Sequence, residues 1–89
     1  MEPTVRYFAL VEEGDDRSHP YNIFREFHER RGHFIQHLDP RNPDRWIDNP
    51  ELVAYTIRGE PGAEEITEDQ ARKFVESRGG KFSPPELQP

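Results

Sequence analysis

The chain contains no cysteine, one methionine and one tryptophan, and only two lysines beside ten arginines. Without cysteine there are no disulfides, no thiolate nucleophile and no cysteine-ligated zinc or iron–sulfur centre, so stability must come from packing alone. Hydrophobic residues make up only 31% of the 89 positions, enough for one small core and not for two. No apolar run approaches the ~18 residues of a membrane span, and MEPTVRYFAL lacks the basic-then-apolar order of a secretory leader. These absences make a soluble, cytoplasmic protein the expectation. A core this small is marginal on its own, so a homodimer or a protein partner that covers apolar surface is also expected.

Charge is present in excess: 34% of residues are charged and the net charge is -6. The mean hydropathy of -1.07 and nine prolines would suit a disordered chain, but an aromatic share of 11% and clustered apolar runs point to a folded centre. The charge is uneven. Residues 1–16 set Glu2, Glu12, Glu13, Asp15 and Asp16 against Arg6, for a sum of -4. Residues 17–38 set Arg17, Arg25, Arg30 and Arg31 against Glu26 and Glu29, for +2, and hold all four histidines. An acidic whole with one weakly basic hairpin is a poor footprint for nucleic acid, and for the same reason a poor one for a membrane surface.

Along the chain, TVRYFALVEE reads as a strand and EGDDRSHP as a loop. YNIFREFHERRG fits two readings. As a helix it groups Ile23, Phe24 and Phe27, with Arg25 to Glu29 and Glu26 to Arg30 as i,i+4 pairs; as a strand it alternates only partly. The strand is preferred, because Arg30-Arg31 followed by Gly32 fits a three-residue hairpin loop, with HFIQHL as the returning strand. That loop pairs Glu29 with His33, Phe27 with Ile35 and Arg25 with His37. In DPRNPDRWIDNP only Arg45-Trp46-Ile47 can pair as a short strand. Asn49 then reads as the N-cap of a short helix with Pro50 at its first position and Leu52, Val53 and Ile57 as its apolar stripe. Thr67 and Gln70 fit a capping box, flanked by Ile66 and Ala71 as a hydrophobic staple, and the helix that follows turns Ala71, Phe74 and Val75 inward. KFSPPELQP reads as a flexible proline-rich tail, though such a segment can also serve as a ligand for an aromatic groove.

The runs PYNIFR, RWIDNPEL and RGEPGAEEIT, spanning about residues 21–78, resemble small, arginine-rich, uncharacterised actinobacterial proteins. The resemblance implies a compact α+β domain in a bacterial protein of GC-rich origin and supplies no catalytic residues. The cluster of histidines departs from that pattern.

In the chosen hairpin His33 and His37 share a face about 13 Å apart, four residues at roughly 3.3 Å each, while His28 points to the other face, so one metal ion cannot bind all three. A helical segment would instead place His33 and His37 one turn apart, with Asp39 or Glu29 near, as a zinc site requires. Ser18-His19, Ser77 and Ser83 lie in no nucleophile motif, EEGDD lacks the ligand spacing of a calcium loop, and GEPGAEE lacks the lysine of a phosphate loop. Trp46 reads first as a core anchor between the sheet and the 50–58 helix, and second as an exposed hot spot beside Arg41 and Arg45.

The sequence therefore predicts one α+β domain over residues 1–80, a small antiparallel sheet of three or four strands covered on one face by two short helices, with residues 81–89 as the tail. The expected role is a small non-enzymatic protein–protein interaction or regulatory module with no cofactor, no metal and no small-molecule substrate. Its candidate contacts are a free sheet edge together with Arg30, Arg31, Arg41, Arg45 and Trp46. The alternatives are an acidic inhibitor that mimics nucleic acid, using Glu12, Glu13, Asp15 and Asp16 with Glu60, Glu64 and Glu65, and a histidine-based metal-binding protein.

Overall fold

The computed structural model describes residues 4–15 and 19–87. Five strands form one antiparallel sheet in the order β4-β3-β2-β1-β5. They are β1 Val5–Leu10, β2 Asn22–Glu29, β3 Gly32–Asp39, β4 Asn42–Asp48 and β5 Ala63–Ile66, with a 3-10 turn Pro50–Leu52, the one-turn helix α1 Val53–Thr56 and the helix α2 Glu68–Ser77. The α+β class and the antiparallel sheet agree with the sequence. The strand count is five rather than three or four, because β5, AEEI, pairs with β1 although only its ends are apolar.

The two helices lie on opposite faces, not on one. Tyr7, Ala9, Ile23, Leu38 and Ile66 pack with Ala71 and Val75 of α2. Phe8, Leu10, Phe24 and Ile35 pack with Leu52, Val53 and Tyr55 around α1. Successive strand residues point to opposite faces, so β1 and β2, at the middle of the sheet, are buried on both sides. That explains why 22–29 shows so little alternation in its sequence. The two-sided burial also takes in Arg25 and Glu26.

The β2–β3 register differs from the expected one by one residue. Glu29 pairs with Gly32, His28 with His33 and Phe27 with Phe34, leaving Arg30 and Arg31 as a two-residue turn. A slip of one residue turns every β3 side chain over. The observed register stacks Phe27 on Phe34 with centroids 5.4 Å apart and sets Leu38 on the same face as Ile23, which the expected register would not.

At the second hairpin Asp39 caps the turn by accepting from the Arg41 amide at 2.9 Å, and Pro43 is tolerated because β4 is an edge strand. Asn49 does not cap the following helix with its side chain. Its amide group lies 3.2 Å from His37 Nδ1, and its backbone N–H donates to the Ile35 carbonyl. The capping box at α2 forms as expected: Thr67 Oγ1 accepts from the Gln70 N–H, and Gln70 Oε1 accepts from the Thr67 N–H. No helix among the described residues is long and apolar enough to cross a membrane.

Residues 81–87 have no regular secondary structure, yet residues 81–83 are held on the α2 face. Phe82 packs on Tyr7 with centroids 5.7 Å apart, Lys81 N donates to Asp44 Oδ1 at 2.6 Å, and the Ser83 carbonyl accepts from Arg25 Nη1 at 2.8 Å.

Candidate functional site: an acidic cleft

A cleft of about 760 Å³ opens where the first loop meets the start of β5. Its wall begins with the turn 12–15, closed by Asp15 N donating to Glu12 O, in which Gly14 takes φ 91 at the position where a type II turn needs a positive value. Across the cleft, Gly62 has φ 117 and passes so close to Tyr55 that an added Cβ would lie 3.1 Å from Tyr55 Cε1. The two walls are tied by Val11 N donating to Gly62 O at 2.9 Å. The cleft is lined by Val11, Tyr55, Pro61 and Ala63 together with the acidic residues Glu12, Glu13, Asp15 and Glu64. Among the described residues none of these four carboxylates forms an ion pair. Tyr21, 52% exposed, stands near the rim; partial burial raises its phenol above the usual range, with Tyr55 and Glu12 adding to the shift.

The other carboxylates assigned to a possible acidic face are occupied or undescribed. Glu65 is held by Arg6 through contacts of 2.9 and 3.3 Å, which lowers its carboxyl and raises the guanidinium. Glu60 lies 3.8 Å from Arg58. Asp16 falls outside the described residues.

The candidate arginines are not gathered into one surface. Arg30 and Arg31 form the β2–β3 turn, Arg41 sits in the β3–β4 turn at the opposite end of the sheet, and Arg45 is exposed on β4. Arg31 is engaged by Glu29 at 2.9 Å. Trp46 is half-buried, and it packs on the α2 face rather than against the 50–58 helix, edge-on to Tyr7 at 6.4 Å. Its ring carries the guanidinium of Arg25 at 4.1 Å. No local signal marks that partner, since Arg25 meets Trp46 only through the pairing of β2 with β3 and β3 with β4.

The corrected register brings His28, His33 and His37 to one face. His28 and His33 stack at 4.3 Å, and His33 Nε2 lies 3.0 Å from Glu26 Oε2, with Arg6 3.5 Å from the other Glu26 oxygen. His37 is drawn away to Asn49. Among the described residues no group of three histidines, aspartates or glutamates is placed to hold a metal ion. The polar row lies toward the β2–β3 turn, while α1, a single turn, packs over Phe8, Leu10, Phe24 and Ile35.

Comparison with protein-family models, curated proteins and solved structures returns no match.

Proposed function

We propose that the protein is a non-enzymatic interaction module whose acidic cleft grips a basic segment of another protein. The observation that carries this reading is the presence in one cleft of four acidic residues, Glu12, Glu13, Asp15 and Glu64, none ion-paired among the described residues, beside Tyr55, Val11 and Pro61. Such a surface complements lysine or arginine side chains, whose charged heads meet the rim while their aliphatic stems lie on Tyr55 and Pro61. Strand addition is the weaker route: β5 has four residues, two of them glutamates, and β4 carries Pro43, Asp44 and Arg45, features that blunt a sheet edge.

The test is an NMR titration with an amidated peptide of alternating arginine and leucine. The amides of Gly14 and Gly62 should shift, and each of Glu12→Gln and Glu64→Gln should weaken binding about two- to fivefold, as expected for rim charges. Shifts that avoid both glycines, or binding indifferent to salt, would sink the reading.

The second reading, an acidic inhibitor that mimics nucleic acid, draws on the same four carboxylates. It differs in its partner: a nucleic-acid enzyme would lose activity on binding, and DNA would compete the module away.

A further inference from the structure

On the α2 face, at the opposite side of the sheet from α1, lies a cation without a counter-ion. Arg25 is only 5% exposed, and among the described residues it forms no ion pair. Its Nε donates to Gln36 Oε1 at 2.9 Å, its Nη1 to the Ser83 carbonyl at 2.8 Å, and its plane lies on Trp46. All three partners are neutral. Gln36 in turn connects the guanidinium to a carboxylate indirectly, its Nε2 donating to Asp48 Oδ1 at 2.9 Å. Burial pulls the guanidinium down to about 10, still high enough to keep it charged at neutral pH. Beside it the Tyr7 hydroxyl is buried with its oxygen toward the guanidinium, which offsets part of the rise that burial gives the phenol, and its proton finds no acceptor among the described residues. A buried charge normally carries a paired opposite charge, and a buried hydroxyl normally carries a partner. Here one cation and one donor without an acceptor sit together, beside Phe82 and Ser83 of the irregular segment 81–87.

We propose that this is a binding site for the C-terminal carboxylate of a peptide with an aromatic residue in the penultimate position, and that residues 81–87 are a displaceable strap that occupies it. The strap supplies the template for the ligand. Phe82 fills an aromatic niche between Tyr7 and Arg72, and the next carbonyl, that of Ser83, reaches Arg25. If a chain ended at that point, its carboxylate would stand where the carbonyl stands. One oxygen would accept from Arg25 with full charge, and the second would be available to the Tyr7 hydroxyl. A charge-assisted bond of this kind is about twice as strong as the neutral one it replaces. The strap's hold is correspondingly modest: the Phe82 ring between Tyr7 and Arg72, the Ser83 carbonyl on Arg25, the Lys81 amide on Asp44 and the attraction of Glu86 for the exposed Arg31. This site is separate from the acidic cleft, and its ligand has the opposite charge.

The experiment uses the full chain and two acetylated tripeptides of sequence Lys-Phe-Ser, one ending in a free carboxylate and one in an amide. The single tryptophan is the reporter, through its indole N–H resonance. Because the strap competes at an effective concentration in the millimolar range, the titration must reach about 10 mM. The acid should shift the Trp46 indole with a half-saturation about tenfold below that of the amide, leaving the amides of Gly14 and Gly62 in place. In Phe82→Ala, which loosens the strap, the acid should bind more tightly still. Equal responses to acid and amide, no Trp46 shift in either chain, or shifts confined to the cleft glycines would each overturn the proposal. If Phe82→Ala fails to fold, the acid–amide comparison on the unaltered chain decides alone. Failure here leaves the cleft untouched, since the cleft is read at different residues with a cationic peptide.

Discussion

Tyr7 carries two opposing consequences in a single hydroxyl. Only 3% exposed and with no acceptor for its proton among the described residues, it is a polar group removed from water with only the neighbouring Arg25 guanidinium in return, and burial raises its phenol above the usual range. Tyr7→Phe keeps the ring against Trp46 and Phe82 and deletes the unsatisfied oxygen. The variant should therefore be more stable by about 1 kcal/mol, read as a higher urea midpoint at unchanged slope. It should also bind the free-acid tripeptide less well, so stability and binding move apart. A lower midpoint would mean that the hydroxyl is bonded in solution and that the second donor of the proposed site is already spent. Nothing in TVRYFAL marks this position, because the cost appears only when strand pairing sets Tyr7 beside Arg25 and Phe82 packs on its ring, from elements far apart in sequence. Trp46, by contrast, stands out as the only tryptophan in the chain. What its composition could not reveal was which face of the sheet it would take.

Local signals separated the legible elements from the rest. The start of α2 is written in four residues, Thr67 to Gln70, and its capping box forms as the sequence requires. β5 has no such code: Glu64 and Glu65 are poor strand residues, and the segment is a strand because β1 offers it a ladder. The β2–β3 turn shows the same limit, since Arg30-Arg31-Gly32 suits a loop of two or three residues and the packing of Phe27 on Phe34 decides between them. The junction from α2 to the strap is another element set by tertiary contact. Gly80 crosses β4 so closely that an added Cβ would stand 2.5 Å from the Pro43 carbonyl oxygen and 2.6 Å from Pro43 Cβ. Neither atom belongs to a flexible side chain. Gly80→Ala should thus destabilise the protein by about 1–3 kcal/mol and lift the strap, with the Trp46 indole resonance shifting in the folded state. Gly79→Ala is the informative contrast. Its φ of 82 is strained for alanine, but the space around it is open, so the cost should be about 1 kcal/mol with Trp46 undisturbed. If both variants moved Trp46 equally, the close approach at Pro43 would not be what seats the strap.

At the scale of the molecule, charge acts on folding and on binding in opposite directions. The net charge of -6 and the four unpaired carboxylates of the cleft repel one another in the folded state. Against that repulsion stand exposed pairs, Arg6 with Glu65 and Arg72 and Lys73 with Asp69, each worth a few tenths of a kcal/mol when solvated. Added salt screens both, and at this net charge the relief of repulsion should be the larger effect. Melting curves from about 0.05 to 0.5 M NaCl should therefore show a Tm that rises by a few degrees. Over the same range the arginine–leucine peptide should lose affinity, because the attraction that seats it is screened by the same ions. The opposite slopes follow from one cause: the cleft keeps carboxylates unpaired, which strains the free protein and is relieved by a cationic partner. A Tm that fell with salt would show that the surface pairs outweigh the cleft's repulsion, and the carboxylates there would then lose their standing as a binding site held at the expense of stability.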